Sequence, residues 1–229
     1  MKRKTLIPAL FIIFVSTIAL AQANSQLESV LTSMDRAAAT MRTVQTDFVW
    51  DQFTAVINEH DTQEGTMYFR RNGNNVEMSA TITKPDTEYV LFTNGIVQIY
   101  QPKIEQVKKY DAGKNRETFE SFLVLGFGGR GHDLQKSFDV KYDGPETVNG
   151  IATQKLVLTP KAQNVRNMFQ TITLWIDPTR GISVQQKLES PSGDYRLATY
   201  KNIKINVKLP DDIFKLRTTG KTKVISPQG

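Results

Sequence analysis

The chain has 229 residues, 39% of them hydrophobic, which is enough to fill the core of one substantial domain or two small ones. This composition excludes collagen-like, fibrous and wholly disordered proteins. The chain has no Cys, so disulfides, thiolate metal sites and cysteine nucleophiles are also excluded. No cofactor and no metal are therefore expected.

Residues 1–23 have the three sections of a secretory signal peptide. Residues 2–4 are basic (KRK), residues 6–20 are almost wholly apolar, and residues 21–23 (AQA) resemble a cleavage site. The apolar run holds about 15 residues, fewer than the roughly 20 that span a bilayer. We therefore predict cleavage after Ala23 and release into the periplasm, with an uncleaved inner-membrane anchor as the alternative.

The charge of the chain gives no sign of nucleic-acid binding. Of the 29 basic residues, three lie in the predicted signal peptide, and the other 26 face 23 acidic residues. They are scattered along the chain and form no basic stripe. A nucleic-acid partner is therefore not expected.

One amphipathic helix is predicted at the start of the mature chain, over residues 25–42. Ser25 and Glu28 have the spacing of a capping box, and apolar residues then recur at helical spacing. From Val44 the period changes to two, which indicates a strand. The same alternation returns along the chain and predicts about ten or eleven strands without intervening helices.

Short turn sequences separate these strands and predict an antiparallel meander. They include Asn-Gly at 94–95 and 149–150, Asp-Gly-Pro at 143–145 and Asp-Pro-Thr-Arg-Gly at 177–181. No linker or internal repeat interrupts the pattern. We therefore predict one domain over residues 24–216, followed by a polar, frayed tail at 217–229.

One internal stretch breaks the alternation. Residues 117–125 are compatible with two helical turns, residues 126–131 (GFGGRG) are rich in glycine, and residues 132–136 can form a short helix. The glycine run matches Gly-x-Gly-x-x-Gly, but a dinucleotide site needs these glycines inside a βαβ unit, which is absent here. A flexible loop is therefore predicted.

No catalytic motif emerges from the remaining polar residues. His60 and His132 each adjoin a carboxylate and are interpreted as solvated, and Glu117 and Glu120 as the wet face of a short helix. Nucleophile elbows, phosphate loops and zinc-protease motifs are absent from the sequence. An enzyme is not expected.

A long meander with one apolar face must cover that face. The economical solution is a mainly β fold in which an incomplete antiparallel β-barrel is covered by a lid of helices. Many of the apolar residues are Met or aromatic, which suits ligands of variable shape. An ordinary filled core is the alternative.

The order of several segments resembles the LolA family of periplasmic lipoprotein carriers. The segments are 65–71 (GTMYFRR), 84–86 (KPD), 91–102 (LFTNGIVQIYQP), 105–107 (EQV), 122–126 (FLVLG), 156–161 (LVLTPK) and 174–182 (LWIDPTRGI). Each is loose by itself, but together they span most of residues 25–216. The resemblance implies an incomplete barrel closed by helices.

The family's activity is to carry acylated lipoproteins across the periplasm. The partners implied are lipoprotein or lipid cargo, an ATP-driven release complex in the inner membrane and an acceptor at the outer membrane, and the carrier is expected to be a monomer. Each acyl methylene kept from water is worth about 0.8 kcal/mol, so the chains need an apolar cavity during transit.

Strand parity and the resemblance together predict the residues of the site. The expected cavity lining is Phe48, Trp50, Met67, Phe69, Met78, Leu91, Leu174 and Ile176. The expected lid residues are Leu31, Met34, Phe122, Leu123 and Leu125. By the resemblance, Arg71 is the residue that locks the lid, although the family usually has Pro where this chain has Asn72.

Two other functions remain open from the sequence. A periplasmic sensor or regulator could use the same fold to detect lipids, although such regulators usually carry a second domain. The cargo could also be a lipid that is not attached to a protein. An enzyme on a lipid-like substrate would need a polar cluster that the sequence does not reveal.

Overall fold

A computed structural model describes residues 11–73, 75–111, 113 and 125–226, with side chains from residue 22 onward. In the first half of the chain the elements are α1 (Phe11–Thr40), β1 (Thr43–Thr54), β2 (Glu59–Asn72), β3 (Asn75–Lys84), β4 (Glu88–Thr93), β5 (Ile96–Gln101) and β6 (Gln106–Asp111). The second half holds α2 (Gly131–Ser137), β7 (Phe138–Val148), β8 (Ile151–Pro160), α3 (Gln163–Arg166), β9 (Thr171–Asp177), β10 (Ile182–Glu189), β11 (Tyr195–Ile205) and β12 (Lys223–Ile225). Short 3-10 turns span Pro102–Ile104 and Asp211–Phe214.

The described strands form one open sheet in the order β12-β6-β5-β4-β3-β2-β1-β11-β10-β9-β8-β7. Two meanders, β2–β6 and β7–β11, are joined where β1 pairs with β11. The two edge strands, β12 and β7, do not pair with each other, so the barrel stays open. The predicted mainly β fold with an incomplete barrel is therefore confirmed, with twelve strands in the described residues instead of ten or eleven.

The C-terminal strand corrects the predicted frayed tail. Residues of β12 pair in parallel with β6, with Val224 opposite Val107, and the Lys223 amide donates to the Glu105 carbonyl at 2.8 Å. The sheet is therefore mixed, and residues 223–225 are part of it. A three-residue strand is too short to show the alternation by which longer strands are recognised in sequence.

The N-terminal helix is confirmed but begins earlier than predicted, at Phe11 instead of residue 25. Its buried side chains, Val30, Leu31, Met34 and Ala38, recur at helical spacing and pack on one face of the sheet, here called the covered face. The opposite face is called the outer face. No helix in the described part of the chain is both long and apolar enough to cross a membrane. Cleavage after Ala23 remains a prediction.

Turn chemistry explains most of the connections. At both Asn94-Gly95 and Asn149-Gly150 the two residues have positive φ, as two-residue hairpins with the twist of the strands require. The turn predicted at 143–145 is wrong, because β7 continues through it. Gly144, at φ 91°, instead forms an irregularity between Tyr142 and Pro145.

Candidate functional site

The first group of predicted lining residues meets on the covered face of β1, β2 and β3. Phe48, Met67 and Phe69 are buried in one cluster, and the half-buried Trp50 and Met78 pack against it. The rings of Phe48 and Trp50 stack with centroids 4.1 Å apart. Gly65 lies opposite Phe48 in the ladder, and a Cβ there would come within 2.9 Å of the Phe48 ring. Glycine at this position therefore leaves room for the ring.

The second group meets over β8 and β9. Leu174 and Ile176 lie in a buried cluster with the predicted lid residues Leu31, Met34 and Leu125. Leu174 and Ile176 are on the covered face, while Trp175 between them packs with Val184 on the outer face. The helix α1 therefore covers this half of the sheet through Leu31 and Met34.

The structure separates Leu91 from the other predicted lining residues. Leu91 pairs with Ser79, and its side chain shares the outer face with Tyr68, whereas Phe92 pairs with Met78 on the covered face. The assignment of Leu91 to the same lining is thus wrong by one residue, and such a slip moves a side chain to the opposite face. Leu91 instead lines an outer cavity of about 430 Å³ beside the C-terminal residues 212–217.

A glycine loop, defined as residues 125–130, lies across the covered face of β10 and β11. The Ser183 amide donates to the Gly126 carbonyl at 2.9 Å, and the Gln186 side chain donates to the Leu125 carbonyl at 2.5 Å. The Phe127 ring meets Tyr200 edge-on at 4.7 Å. The predicted lid residues Phe122 and Leu123 lie outside the described residues.

Gln186 is a buried polar residue beneath the glycine loop that the sequence reasoning missed. It is buried, and its carbonyl oxygen accepts a hydrogen bond from the Tyr200 hydroxyl at 3.3 Å. Burial raises the pKa of Tyr200, so this hydroxyl keeps its proton. An irregularity between Ser183 and Gln185 turns Val184 to the outer face. The signal in the sequence was a polar residue inside an otherwise apolar alternation.

Arg71 lies beside the glycine loop, at the end of β2. A Cβ on Gly128 would lie 3.6 Å from its Nη2 atom. Burial lowers the pKa of Arg71, and the nearby charge of Arg42 adds to this effect. Within the described ranges, no carboxylate forms an ion pair with the Arg71 guanidinium. The structure thus brings Arg71 to the glycine loop, while its role as a lock remains a prediction.

The covered face is mostly filled by α1, the glycine loop and the side chains beneath them. One cavity of about 320 Å³ remains between these elements and α2, and its lining includes Met34, Arg71, Leu125 and Phe138. This volume is at the low end for small-molecule pockets. A larger apolar ligand would therefore need the glycine loop or a helix to move.

Two covering helices, α1 and α2, are tied together by His132, which the sequence analysis interpreted as solvated. In α2, its Nδ1 lies 2.5 Å from Asp35 of α1, and its Nε2 lies 3.1 Å from Glu28. Hydrogen bonds to Glu28 and Asp35 raise the pKa of His132. Glu28 and Asp35 are two helical turns apart, which was the available signal in the sequence.

His60 lies on the outer face, where it contacts an aspartate and an aromatic ring. Its Nδ1 lies 2.9 Å from Asp51, and its ring lies 4.9 Å from that of Phe53. In the described part of the chain, no group of three or more His, Cys, Asp or Glu residues could hold a metal ion.

An open, curled sheet whose apolar face is closed by a helix and a glycine loop defines the class of half-barrel proteins with a covered apolar interior. The chain belongs to the family described as outer membrane lipoprotein carrier protein LolA, whose model matches residues 39–217. No curated protein matches the sequence.

Solved structures with this fold have distant sequences. An uncharacterized conserved protein from Thermus thermophilus has a TM-score of 0.54 and 13% identity, over 87% of this chain and 98% of that one. MucB has a TM-score of 0.53 and 14% identity, over 86% of this chain and 63% of that one. The Pseudomonas aeruginosa MucA/MucB complex has a TM-score of 0.50 and 14% identity, over 84% and 61%. This chain thus spans less than two thirds of MucB, and the likeness concerns the fold alone.

Proposed function

We propose that this protein is a periplasmic carrier that holds the acyl chains of lipoproteins against its covered face and transfers them from the inner to the outer membrane. In this proposal it is exported with cleavage after Ala23, works as a monomer and performs no catalytic step. It receives cargo from an ATP-driven complex in the inner membrane and delivers it to an outer-membrane acceptor.

The observation that carries the proposal is the way in which the apolar face is closed. The glycine loop is held on it by one backbone hydrogen bond at Gly126, one side-chain hydrogen bond from Gln186 and the apolar side chains of Leu125 and Phe127. Glycines in this loop have positive φ at positions 126 and 128, so its backbone adopts conformations that other residues rarely reach. When cargo replaces the two apolar side chains, the two hydrogen bonds described are what must break, so the cover opens at low cost, as reversible loading requires.

The covered face offers the chemistry that acyl chains need. Two apolar clusters, around Phe48 and around Leu174, lie under one cover. If the cover moved aside, acyl chains could replace the contacts now made by Leu125 and Phe127. The exchange keeps the apolar area buried, so the loaded and the empty protein would differ little in free energy.

Native mass spectrometry tests the proposal. The protein is incubated with inner-membrane vesicles that carry an acylated lipoprotein and its release machinery, alongside a known carrier as the loading control. The expected result is a one-to-one adduct with the mass of the lipoprotein. Adducts of free lipid alone would indicate a lipid carrier or a lipid sensor. Unloaded protein beside a loaded control would show that the covered face is only a core.

A variant with a loosened cover gives the matched comparison. Replacement of Gln186 by Ala removes the side-chain hydrogen bond to the Leu125 carbonyl, and Q185A, which removes a hydrogen bond to Thr199, is the control. Cargo should load and leave faster with Q186A than with Q185A. Equal rates for the two variants would contradict entry beneath the glycine loop.

A further inference from the structure

Three apolar loop tips lie at the same end of the sheet. Neighbouring antiparallel strands place their turns alternately at its two ends, so the β1–β2, β3–β4, β5–β6, β8–β9 and β10–β11 connections share one end, here called the loop rim. The most exposed large apolar side chains of these connections are Val56 at 89%, Ile57 at 58%, Ile104 at 59% and Met168 at 52%.

Local folding does not explain the residues at the β1–β2 tip. Val56 and Ile57 are the two central residues of a turn in which the Asn58 amide donates to the Ala55 carbonyl at 3.3 Å. Turns favour Gly, Pro, Asn, Asp and Ser, whereas β-branched residues are favoured in strands. Both side chains point into solvent, so they add little to the core.

Contacts with the β10–β11 turn hold the β1–β2 tip in place. The Asp194 carboxylate in the β10–β11 turn accepts a hydrogen bond from the Ala55 amide at 2.8 Å. At the adjoining end of the β1–β11 ladder, the rings of Phe53 and Tyr195 stack with their centroids 5.1 Å apart. Val56 and Ile57 are therefore held at a fixed position beyond the end of the sheet.

The spacing of the tips favours a flat, continuous partner. The tips at Ile104 and Met168 each lie about four strand spacings from the β1–β2 tip, on the order of 20 Å along the sheet. Polar residues separate them, so no single apolar patch exists for a protein groove to match. A bilayer interface can accept an apolar side chain at every one of these points.

Charge is a minor factor at this rim. Lys84 pairs with Glu64 at 2.9 Å, and Lys103 pairs with Asp86 at 3.1 Å. These lysines are neutralised by their own neighbours. Attraction to anionic lipid would thus add little to binding.

We propose that the loop rim docks onto a lipid bilayer by inserting Val56, Ile57, Ile104 and Met168 into its interface. Few apolar side chains take part, so the contact is weak and reversible. It depends on burial of apolar groups and resists salt. This docking goes beyond the carrier function and is tested without any cargo.

Site-specific fluorescence tests the docking. The chain has no Cys, so single variants V56C, I104C and M168C each accept one environment-sensitive fluorophore. The matched controls are Y110C and N72C, which replace exposed residues near the opposite end of the sheet. Each full-length labelled protein is mixed with phosphatidylcholine vesicles, with and without added phosphatidylglycerol, and with a quencher carried on the acyl chains.

The expected result is a blue shift and lipid-dependent quenching at the three tips, with at least about threefold less quenching at the controls. High salt should leave these signals unchanged. Equal signals at tips and controls, or none at the tips, would overturn the proposal. Binding only to phosphatidylglycerol that salt removes would also overturn it, as would a shift that rises with protein concentration without vesicles, since that indicates a second copy as the partner.

Flotation of vesicles with the double variant V56D/I57D gives an independent measurement. The bound fraction should fall at least about fivefold relative to Y110D, the matched control at the opposite end of β6. An equal bound fraction for the two variants would contradict insertion of the β1–β2 tip.

Discussion

The Nδ1 atom of His132 lies 2.5 Å from the Asp35 carboxylate, and this contact fastens α2 to α1. The His132 backbone amide also donates to the same carboxylate at 3.3 Å. Both helices border the cavity beside Arg71. The stability of the cover is therefore linked to the protonation of one histidine.

The first prediction concerns pH. The pKa of His132 is raised above 6.5 by its hydrogen bonds to Glu28 and Asp35, so its contribution is complete below that value and is lost as pH rises through the raised pKa. Burial would raise the pKa of Asp35, but the hydrogen bonds from His132 keep it below 3.8. The contribution of Asp35 is therefore lost only as pH falls through its lowered pKa.

Urea denaturation of H132Q measures this linkage. Between the two pKa values the variant should be less stable than wild type by about 1 kcal/mol or less, since a largely exposed ion pair is screened. The difference should shrink at alkaline pH. H60Q is the control, because His60 is far from both helices in the sheet. A difference that stays constant from acid to alkaline pH would refute the linkage.

The second prediction concerns Gln186. Its replacement by Ala leaves the Leu125 carbonyl and the Tyr200 hydroxyl without this partner, which should lower the free energy of unfolding by about 1–3 kcal/mol. Amides of the glycine loop should also exchange hydrogen faster. Q185A is the matched control, because its amide bonds only the Thr199 hydroxyl. Equal losses in the two variants would show that Gln186 does not hold the loop.

The third prediction concerns Gly65. A Cβ at this position would collide with the Thr81 carbonyl and the Phe48 ring. G65A should therefore lower the free energy of unfolding by about 1–3 kcal/mol. G220A has open space around it and should be nearly neutral. Thermal unfolding of both variants makes the comparison. A G65A variant as stable as the wild type would mean that the strands shift to make room for the Cβ.

The fourth prediction concerns Arg71. Leu at this position removes a desolvated charge and adds apolar surface beside the cavity, so cargo should bind but leave more slowly. The transfer rate should fall on the order of tenfold, which corresponds to about two buried methylene groups. K141L, at an exposed position in the middle of β7, is the control. An unchanged transfer rate in R71L would contradict the proposed role of Arg71 in locking the lid.

The sequence predicted best where local chemistry decides the structure. The Asn-Gly pairs at 94–95 and 149–150 form the expected turns, because few other residues accept positive φ at both positions. The alternation from Val44 to Trp50 correctly placed Phe48 and Trp50 on the same face of the sheet. Resemblance to the LolA family, carried by ordered but loose segments, was confirmed over residues 39–217.

The errors arose where the register of a strand decides the outcome. Leu91 was exchanged with Phe92 because both are apolar, and only pairing with Met78 or Ser79 distinguishes their faces. Val184 lies on the outer face because of an irregularity in the ladder that no sequence pattern at these residues indicates. Neither could be read from a pattern of apolar residues alone.

The sequence by itself determined the class of fold, the helix that covers the sheet and most of the apolar residues of the interior, because hydrophobic periodicity and turn chemistry are local properties. Only the tertiary structure decided that His132 joins α1 to α2, that Gln186 holds the glycine loop and that β12 pairs with β6. These contacts join residues far apart in the chain. They depend on how the whole sheet curls, which no short segment encodes.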